Sequence, residues 1–165
     1  MASVLAALGV LLLTLGAFIE VLDLSMAALA SLLVVFAVIE MGGKYPYLIY
    51  AVTAVLGLLL LPNKTPAVLY ALFAGFYPIV KAGLESKLPR VHAWVLKLAI
   101  FNACLALAAF VAVKLMLPDA EQILSYWYWL PIIGTPIFVI YDIALTRLIS
   151  TYLQRWRTRF RFLQK

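Results

Sequence analysis

Residues 61–87 read LPNKTPAVLYALFAGFYPIVKAGLESK, a stretch that combines a turn, an apolar helix and a charged exit. Within it Ala67, Ala71 and Gly75 recur every four residues, so on a regular helix they share one face. Small residues at this spacing allow a second helix to approach closely, as they do in pairs of membrane helices. We therefore predict a helix-packing face at these three residues.

A proline follows the packing face on the same predicted helix. Pro78 lacks an N–H and its ring clashes with the preceding turn, so it should bend the helix axis. The helix then ends among Lys81, Glu85 and Lys87. We expect the other segments of the chain to pack around this bent helix.

The composition assigns the whole chain to the membrane class. Hydrophobic residues make up 67% of it and charged residues only 12%, far from the balance of a soluble domain. A membrane span needs about 20 apolar residues, so the chain holds several spans and almost no soluble domain. The apolar runs lack the two-residue alternation of strands. We predict an all-α integral membrane bundle.

Short polar breaks divide the apolar runs into six predicted transmembrane helices. These helices cover residues 3–22, 25–41, 45–61, 66–83, 91–117 and 127–153. The second and third are short, which favours tilt or local thinning of the bilayer. Residues 1–153 thus form the predicted transmembrane domain. Residues 154–165 form a predicted basic amphipathic tail, which should lie on anionic lipid headgroups or dock onto a cytoplasmic partner.

The distribution of lysine and arginine predicts the orientation, because cytoplasmic flanks carry the excess of positive charge. With both termini in the cytoplasm, only Lys64 and Lys114 fall on the outer side. The inner side collects Lys44, Lys81, Lys87, Arg90, Lys97, Arg147, Arg155, Arg157, Arg159, Arg161 and Lys165. The net charge of +6 is then a property of the cytoplasmic face, and we expect no nucleic-acid partner.

Polar residues inside the spans predict an inner charge network, because a charge is costly to bury in hydrocarbon. Its members share a depth in the cytoplasmic half and are Glu40, Lys81, Glu85, Lys97, Asn102 and Asp142. In one interpretation these groups pair and hold the bundle together. Lys81 would then bind Glu85, four residues on, and Lys81 or Lys97 would bind Asp142 or Glu40. In the other, the network gates a pathway or transmits a signal from the cytoplasmic side.

A second group of polar and aromatic residues lies at the predicted outer face. Asn63, Lys64 and Thr65 precede Pro66, a typical start of a helix, whose free N–H groups attract anions. Together with Tyr126, Trp127 and Trp129 they could form a ligand-binding outer pocket with aromatic walls. The alternative is an ordinary helix cap beside an interfacial aromatic belt.

The sequence offers no pattern typical of an enzyme. It has no glycine-rich phosphate loop and no nucleophile with a base at a suggestive spacing. His92 has no second His or Cys at ligand spacing, so we predict a loop histidine and no metal site. We expect no cofactor.

Four stretches carry a resemblance to known proteins: IEMGGK (39–44), LLPNK (60–64), YALFAGFYPIVKAGLE (70–85) and LKLAIFN (96–102). They resemble a group of small six-helix bacterial membrane proteins of unassigned function. The size, the six helices, the inner termini and the small-residue packing are also similar to the substrate-binding S components of energy-coupling-factor transporters. The small membrane subunit of the rod-shape machinery shares this architecture.

The resemblance to S components implies a function and a place in the cell. It implies a subunit of the bacterial inner membrane that binds a small, vitamin-like nutrient and works with a transmembrane coupling subunit and ATPases. In S components an A-x-x-x-A face on the first helix contacts the coupling subunit, and Ala2 and Ala6 have that spacing here. The alternative is a membrane scaffold or accessory subunit that binds other membrane proteins and has no small-molecule site.

Overall fold

The computed structural model describes residues 1–115 and 129–156. These residues are helical throughout apart from short turns, and they include no strand, so the all-α prediction is confirmed for them. Contacts divide the chain into two compact units, Met1–Leu117 and Pro118–Lys165.

The first unit contains five helical stretches, one of which is interrupted. They are α1 (Ala2–Phe18), α2 (Asp23–Glu40), α3 (Tyr45–Leu60), α4 (Thr65–Leu69) continued through the π-helical segment Tyr70–Ala74 into α5 (Tyr77–Lys87), and α6 (Arg90–Leu115). In the second unit α7 (Trp129–Thr151) runs into a π-helical segment, Tyr152–Trp156. Residues 1–115 and 129–156 therefore hold six helical stretches, where six spans were predicted.

Four of the helical stretches are long and apolar enough to cross a membrane: Asp23–Glu40, Thr65–Lys87, Arg90–Phe110 and Pro131–Gln154. The helices α1 and α3 are apolar but shorter, with 17 and 16 residues. The first predicted span reached residue 22, whereas α1 ends at Phe18 because the chain turns through a short 3₁₀ segment, Glu20–Leu22.

Helices α1 and α3 lie close together and run parallel. A Cβ placed on Gly9 would lie 2.9 Å from Cγ2 of Thr53, and one on Gly57 would lie 3.2 Å from Cδ1 of Leu13. Gly9 thus meets Thr53 and the later residue Leu13 meets the later residue Gly57, as expected for parallel helices. The Thr53 hydroxyl donates a hydrogen bond to the Ala6 carbonyl, 3.4 Å away. Small residues thus let the two backbones approach.

The long helix of residues 65–87 contacts α1, α2, α3 and α6, which are all the other helices of its unit. The sequence predicted a bend at Pro78, but the α-helical geometry is interrupted ahead of that residue. Between Tyr70 and Ala74 the helix widens into a π turn, and the Gly75 N–H donates to the Tyr70 carbonyl five residues back, at 2.8 Å. Pro78 lies in the first turn of α5 and not in a helix interior. There its missing N–H leaves no intrahelical bond unmade.

Candidate functional site

Three charged side chains form an ion cluster where α5 meets α6. The cluster consists of Lys81 and Glu85 from α5 and Lys97 from α6. The Lys81 Nζ lies 2.9 Å from Oε1 of Glu85, and the Lys97 Nζ donates a hydrogen bond to the same oxygen. Both lysines are buried, with 1% and 2% of their surface exposed. A single carboxylate oxygen therefore joins two buried ammonium groups.

Helix periodicity and aromatic packing bring the ion cluster together. Lys81 and Glu85 are four residues apart and thus neighbours on one face of α5. One and two turns ahead of Lys81, the rings of Tyr77 and Phe73 stack with 5.1 Å between their centroids. Phe73 also meets Phe101 of α6 edge to face at 5.2 Å, which aligns the two helices.

The three side chains of the ion cluster differ in their exposure to solvent and in their neighbours. The Glu85 side chain is 42% exposed, so it alone of the three reaches the surface. The Lys97 ammonium also lies 5.3 Å from the ring centroid of Trp94, a distance at which the ring face attracts a cation. Buried ammonium groups lose their hydration, and the shared carboxylate and the ring offset part of that cost. A change at Glu85 would therefore be felt by both lysines.

The other residues of the predicted charge network are placed differently. Asn102 donates a hydrogen bond to the Leu98 carbonyl one turn back on α6, at 2.9 Å, so this bond stays within one helix. Glu40 is the last residue of α2. Asp142 lies on α7 and is buried, and its backbone carbonyl accepts a bond from the Thr146 hydroxyl. The pairing of Asp142 with Lys97 or Lys81 stays a prediction.

Two polar side chains of the predicted outer pocket form hydrogen bonds within the turn before α4. The Asn63 Oδ1 accepts a hydrogen bond from the Thr65 N–H at 3.0 Å, and the Lys64 Nζ donates to the Leu61 carbonyl at 2.6 Å. The first contact is an Asx-turn, and both contacts stay within the turn that precedes α4. In the second unit Trp129 begins α7 and is exposed. Tyr126 and Trp127 lie outside the described residues, as do residues 157–165 of the predicted tail.

The predicted packing face is divided by the π turn. Ala67 is buried, and a Cβ on Gly57 of α3 would lie 3.3 Å from its Cβ. Ala71 is half-buried. A Cβ on Gly75 would lie 2.6 Å from the Tyr70 ring and 2.7 Å from the Tyr50 ring. Gly75 thus stacks with the residue five positions back, because a π turn holds more residues than an α turn. All three small residues nevertheless meet α3, Ala67 at Gly57 and the other two at Tyr50.

The two residues of the predicted docking face on α1 pack against other residues of the same chain. Ala6 is 5% exposed and belongs to the core, and Ala2 packs partly buried against that core. The exposed side of α1 is instead lined at spacings of three and four by Val4, Leu8, Leu11, Leu15 and Phe18. Residues at this spacing share a helix face.

Two hydrogen bonds from hydroxyl groups of α3 were not predicted from the sequence. The Tyr50 hydroxyl donates to the Ala71 carbonyl at 2.6 Å, and the Thr53 hydroxyl contacts α1 as described above. The signal available in the sequence was the presence of hydroxyl groups in the otherwise apolar third span, which need partners when buried. Their partners are backbone carbonyls, which no residue pattern marks.

Among the residues that the structure describes, no three His, Cys, Asp or Glu side chains come together as a possible metal site. Comparisons with protein-family models, with curated proteins and with solved structures find no match to this chain.

Proposed function

We propose that the chain is a six-span protein of the bacterial inner membrane with both termini in the cytoplasm. Four helical stretches of sufficient length and apolarity support membrane insertion. The excess of lysine and arginine on one side of the predicted spans supports the orientation.

Fusions to an enzyme that is active only outside the cytoplasm test this topology. A fusion after Lys165 should be inactive, and a fusion after Asn63 should be active as its matched control. Activity after Lys165 with none after Asn63 would invert the proposed orientation.

We further propose that the chain is a substrate-binding membrane subunit for uptake of a small, vitamin-like nutrient. The observation that carries this proposal is the interrupted long helix, which passes through a π turn and Pro78 and ends in the ion cluster. Broken helices and buried ionisable groups are recurrent features of membrane transport proteins. A static scaffold requires neither.

The resemblance to S components supports the same function and supplies the expected partners. These are a transmembrane coupling subunit and its ATPases, with membrane lipids around the bundle. The nutrient would reach the subunit from the outer side, near the turn that contains Asn63, Lys64 and Thr65.

Native mass spectrometry of the protein released from its own membranes tests substrate binding. We expect a small-molecule mass on the wild-type protein. Lys64→Ala should retain less of that ligand, whereas Lys44→Ala, at an exposed lysine on the opposite predicted side, should retain it fully. Melting temperatures of both variants establish that the fold is intact. Absence of any bound mass from preparations that contain intact lipid would contradict the proposal.

An accessory subunit without a ligand is the second candidate. It is favoured by the local use of Asn63 and Lys64, whose polar atoms bond within their own turn. In that case the same experiment should yield a stoichiometric membrane protein partner and no small molecule.

A further inference from the structure

We propose that Tyr50 is a positioning residue that holds the π turn of the long helix and thereby sets the rotation of α5 that forms the ion cluster. The inference goes beyond the proposed uptake function, and it stands whether or not the protein binds a nutrient. It concerns three places in the first unit: Tyr50 on α3, the segment Tyr70–Ala74, and the ion cluster at the end of α5.

The first step is the hydrogen bonding of the π turn. In an α-helix the Gly75 N–H would donate to the Ala71 carbonyl, four residues back. Here it donates to the Tyr70 carbonyl at 2.8 Å. The Tyr50 hydroxyl donates to the Ala71 carbonyl at 2.6 Å, so α3 supplies the donor that the π turn has withdrawn. The bond stabilises the π arrangement, because it satisfies a carbonyl that would otherwise lose the Gly75 donor of an α turn.

The second step is the fit of the Tyr50 ring. Its centroid lies 6.1 Å from that of Tyr70 and 6.2 Å from that of Phe76, so the ring contacts the first residue of the π turn and a residue just after it. Gly75 leaves the space for this arrangement, since a Cβ there would lie within 2.7 Å of both tyrosine rings. The ring and the hydroxyl of Tyr50 therefore engage the same turn.

The third step connects the π turn to the charges. Each residue of an α-helix turns the chain by about 100°. A π turn holds one residue more than an α turn, so its conversion to α geometry would rotate everything that follows by about that angle. Lys81 and Glu85 follow on the same helix, whereas Lys97 lies on α6. The rotation would move Lys81 and Glu85 away from Lys97.

A double-mutant cycle tests this coupling in the full-length protein in detergent. Glu85→Gln, Lys97→Met and the double variant are compared by melting temperature in the wild-type, Tyr50→Phe and Thr53→Val backgrounds. Thr53→Val is the matched control, because it removes another buried hydroxyl of α3 that bonds a backbone carbonyl away from the π turn.

In the wild-type background the loss of the double variant should be smaller than the sum of the two single losses, as expected for groups in contact. Tyr50→Phe should reduce this difference by more than half, and Thr53→Val should leave it unchanged. A difference that persists in Tyr50→Phe, or that falls equally in Thr53→Val, would overturn the proposal.

Thiol labelling provides a second measurement that does not alter the charges. Ile79 is buried on α5, so Ile79→Cys in a Cys104→Ser background should react slowly with a maleimide. Adding Tyr50→Phe should raise the labelling rate several-fold through rotation of α5, while adding Thr53→Val should not. Equal rates in the two backgrounds would overturn the proposal.

Discussion

Two of the helix contacts that α3 makes, with α1 and with the long helix of residues 65–87, are built on different principles. Against α1 it presents small residues to a regular helix, and the single hydroxyl bond from Thr53 is long at 3.4 Å. Against the long helix it presents Tyr50, whose hydroxyl bond to Ala71 is short at 2.6 Å and reaches an irregular backbone. The first contact depends on close packing and the second on hydrogen bonding.

The difference between these two contacts indicates where the fold can change shape. Two regular helices in close contact have little freedom to rotate, because each backbone fills the groove of the other. A helix with a π turn has a second backbone arrangement available, the α turn, that differs by one hydrogen-bond register. The ion cluster lies beyond the irregular contact, since Lys81 and Glu85 follow the π turn on the same helix. Four predictions, given in order of decreasing expected effect, test this difference.

Gly75→Leu should have the largest effect, because its side chain would be forced into the rings of Tyr50 and Tyr70. We expect a loss of about 3 kcal/mol in the free energy of unfolding in mixed micelles. Gly83→Leu on α5 is the matched control, since a Cβ there meets nothing within 4 Å. Leu72→Ala, a substitution in the same π turn that removes volume, should cost less than Gly75→Leu. The reverse order would show that the space at Gly75 is open.

Lys97→Met should come next, with a loss of about 2 kcal/mol, which is typical for a hydrogen bond between charged groups. The half-exposed position of Glu85 limits the cost, since water can solvate the carboxylate that is left behind. Lys87→Met, at an exposed lysine near the end of α5, should change stability little. Equal losses in the two variants would show that the ion cluster contributes nothing specific. Unfolding in mixed micelles measures both.

Gly9→Ala tests the regular contact between α1 and α3. The added methyl group would lie 2.9 Å from Cγ2 of the buried Thr53, so the two helices must separate or Thr53 must move. We expect a loss of about 1 kcal/mol, the lower end of the range for overpacking. Gly83→Ala should be neutral or stabilising, because alanine favours helix over glycine. A stabilising effect of Gly9→Ala would mean that the contact is looser than the distances indicate.

The two hydroxyl deletions should differ least, yet their order decides the comparison. Tyr50→Phe should cost about 1 kcal/mol because it removes a short bond, and Thr53→Val about 0.5 kcal/mol because it removes a long one. Chemical denaturation of the two variants side by side measures this difference. If Thr53→Val were the more costly change, hydrogen bonding would dominate the regular contact as well.

Part of this picture followed from the sequence. The composition and the lengths of the apolar runs predicted helices and their approximate positions, because a helix satisfies its own backbone and needs only a run of apolar residues. The spacing of Lys81 and Glu85 placed them on one face of one helix, and their ion pair is a local contact of that kind. Pro78 pointed to the region in which the long helix is interrupted.

The details of the interruption did not follow from the sequence. Pro78 was expected to bend a continuous helix, but the chain changes geometry ahead of it, at Tyr70–Ala74, and begins α5 so that the proline falls in the first turn. Ala6 was expected at a docking face, but contact with α3 buries it in the core. Both outcomes depend on which helix lies next to which.

The apolar character and the approximate bounds of the described helices thus followed from the sequence, because these depend on residues that are close together in the chain. Only the tertiary structure decided that Tyr50 reaches the Ala71 carbonyl and that Lys97 joins Glu85. The first contact joins residues 21 positions apart and the second joins residues 12 apart on another helix. The Tyr50 bond ends on a backbone carbonyl, a group that every residue carries and that no sequence pattern marks. The other depends on the rotation of α5, which the π turn sets through contacts between helices.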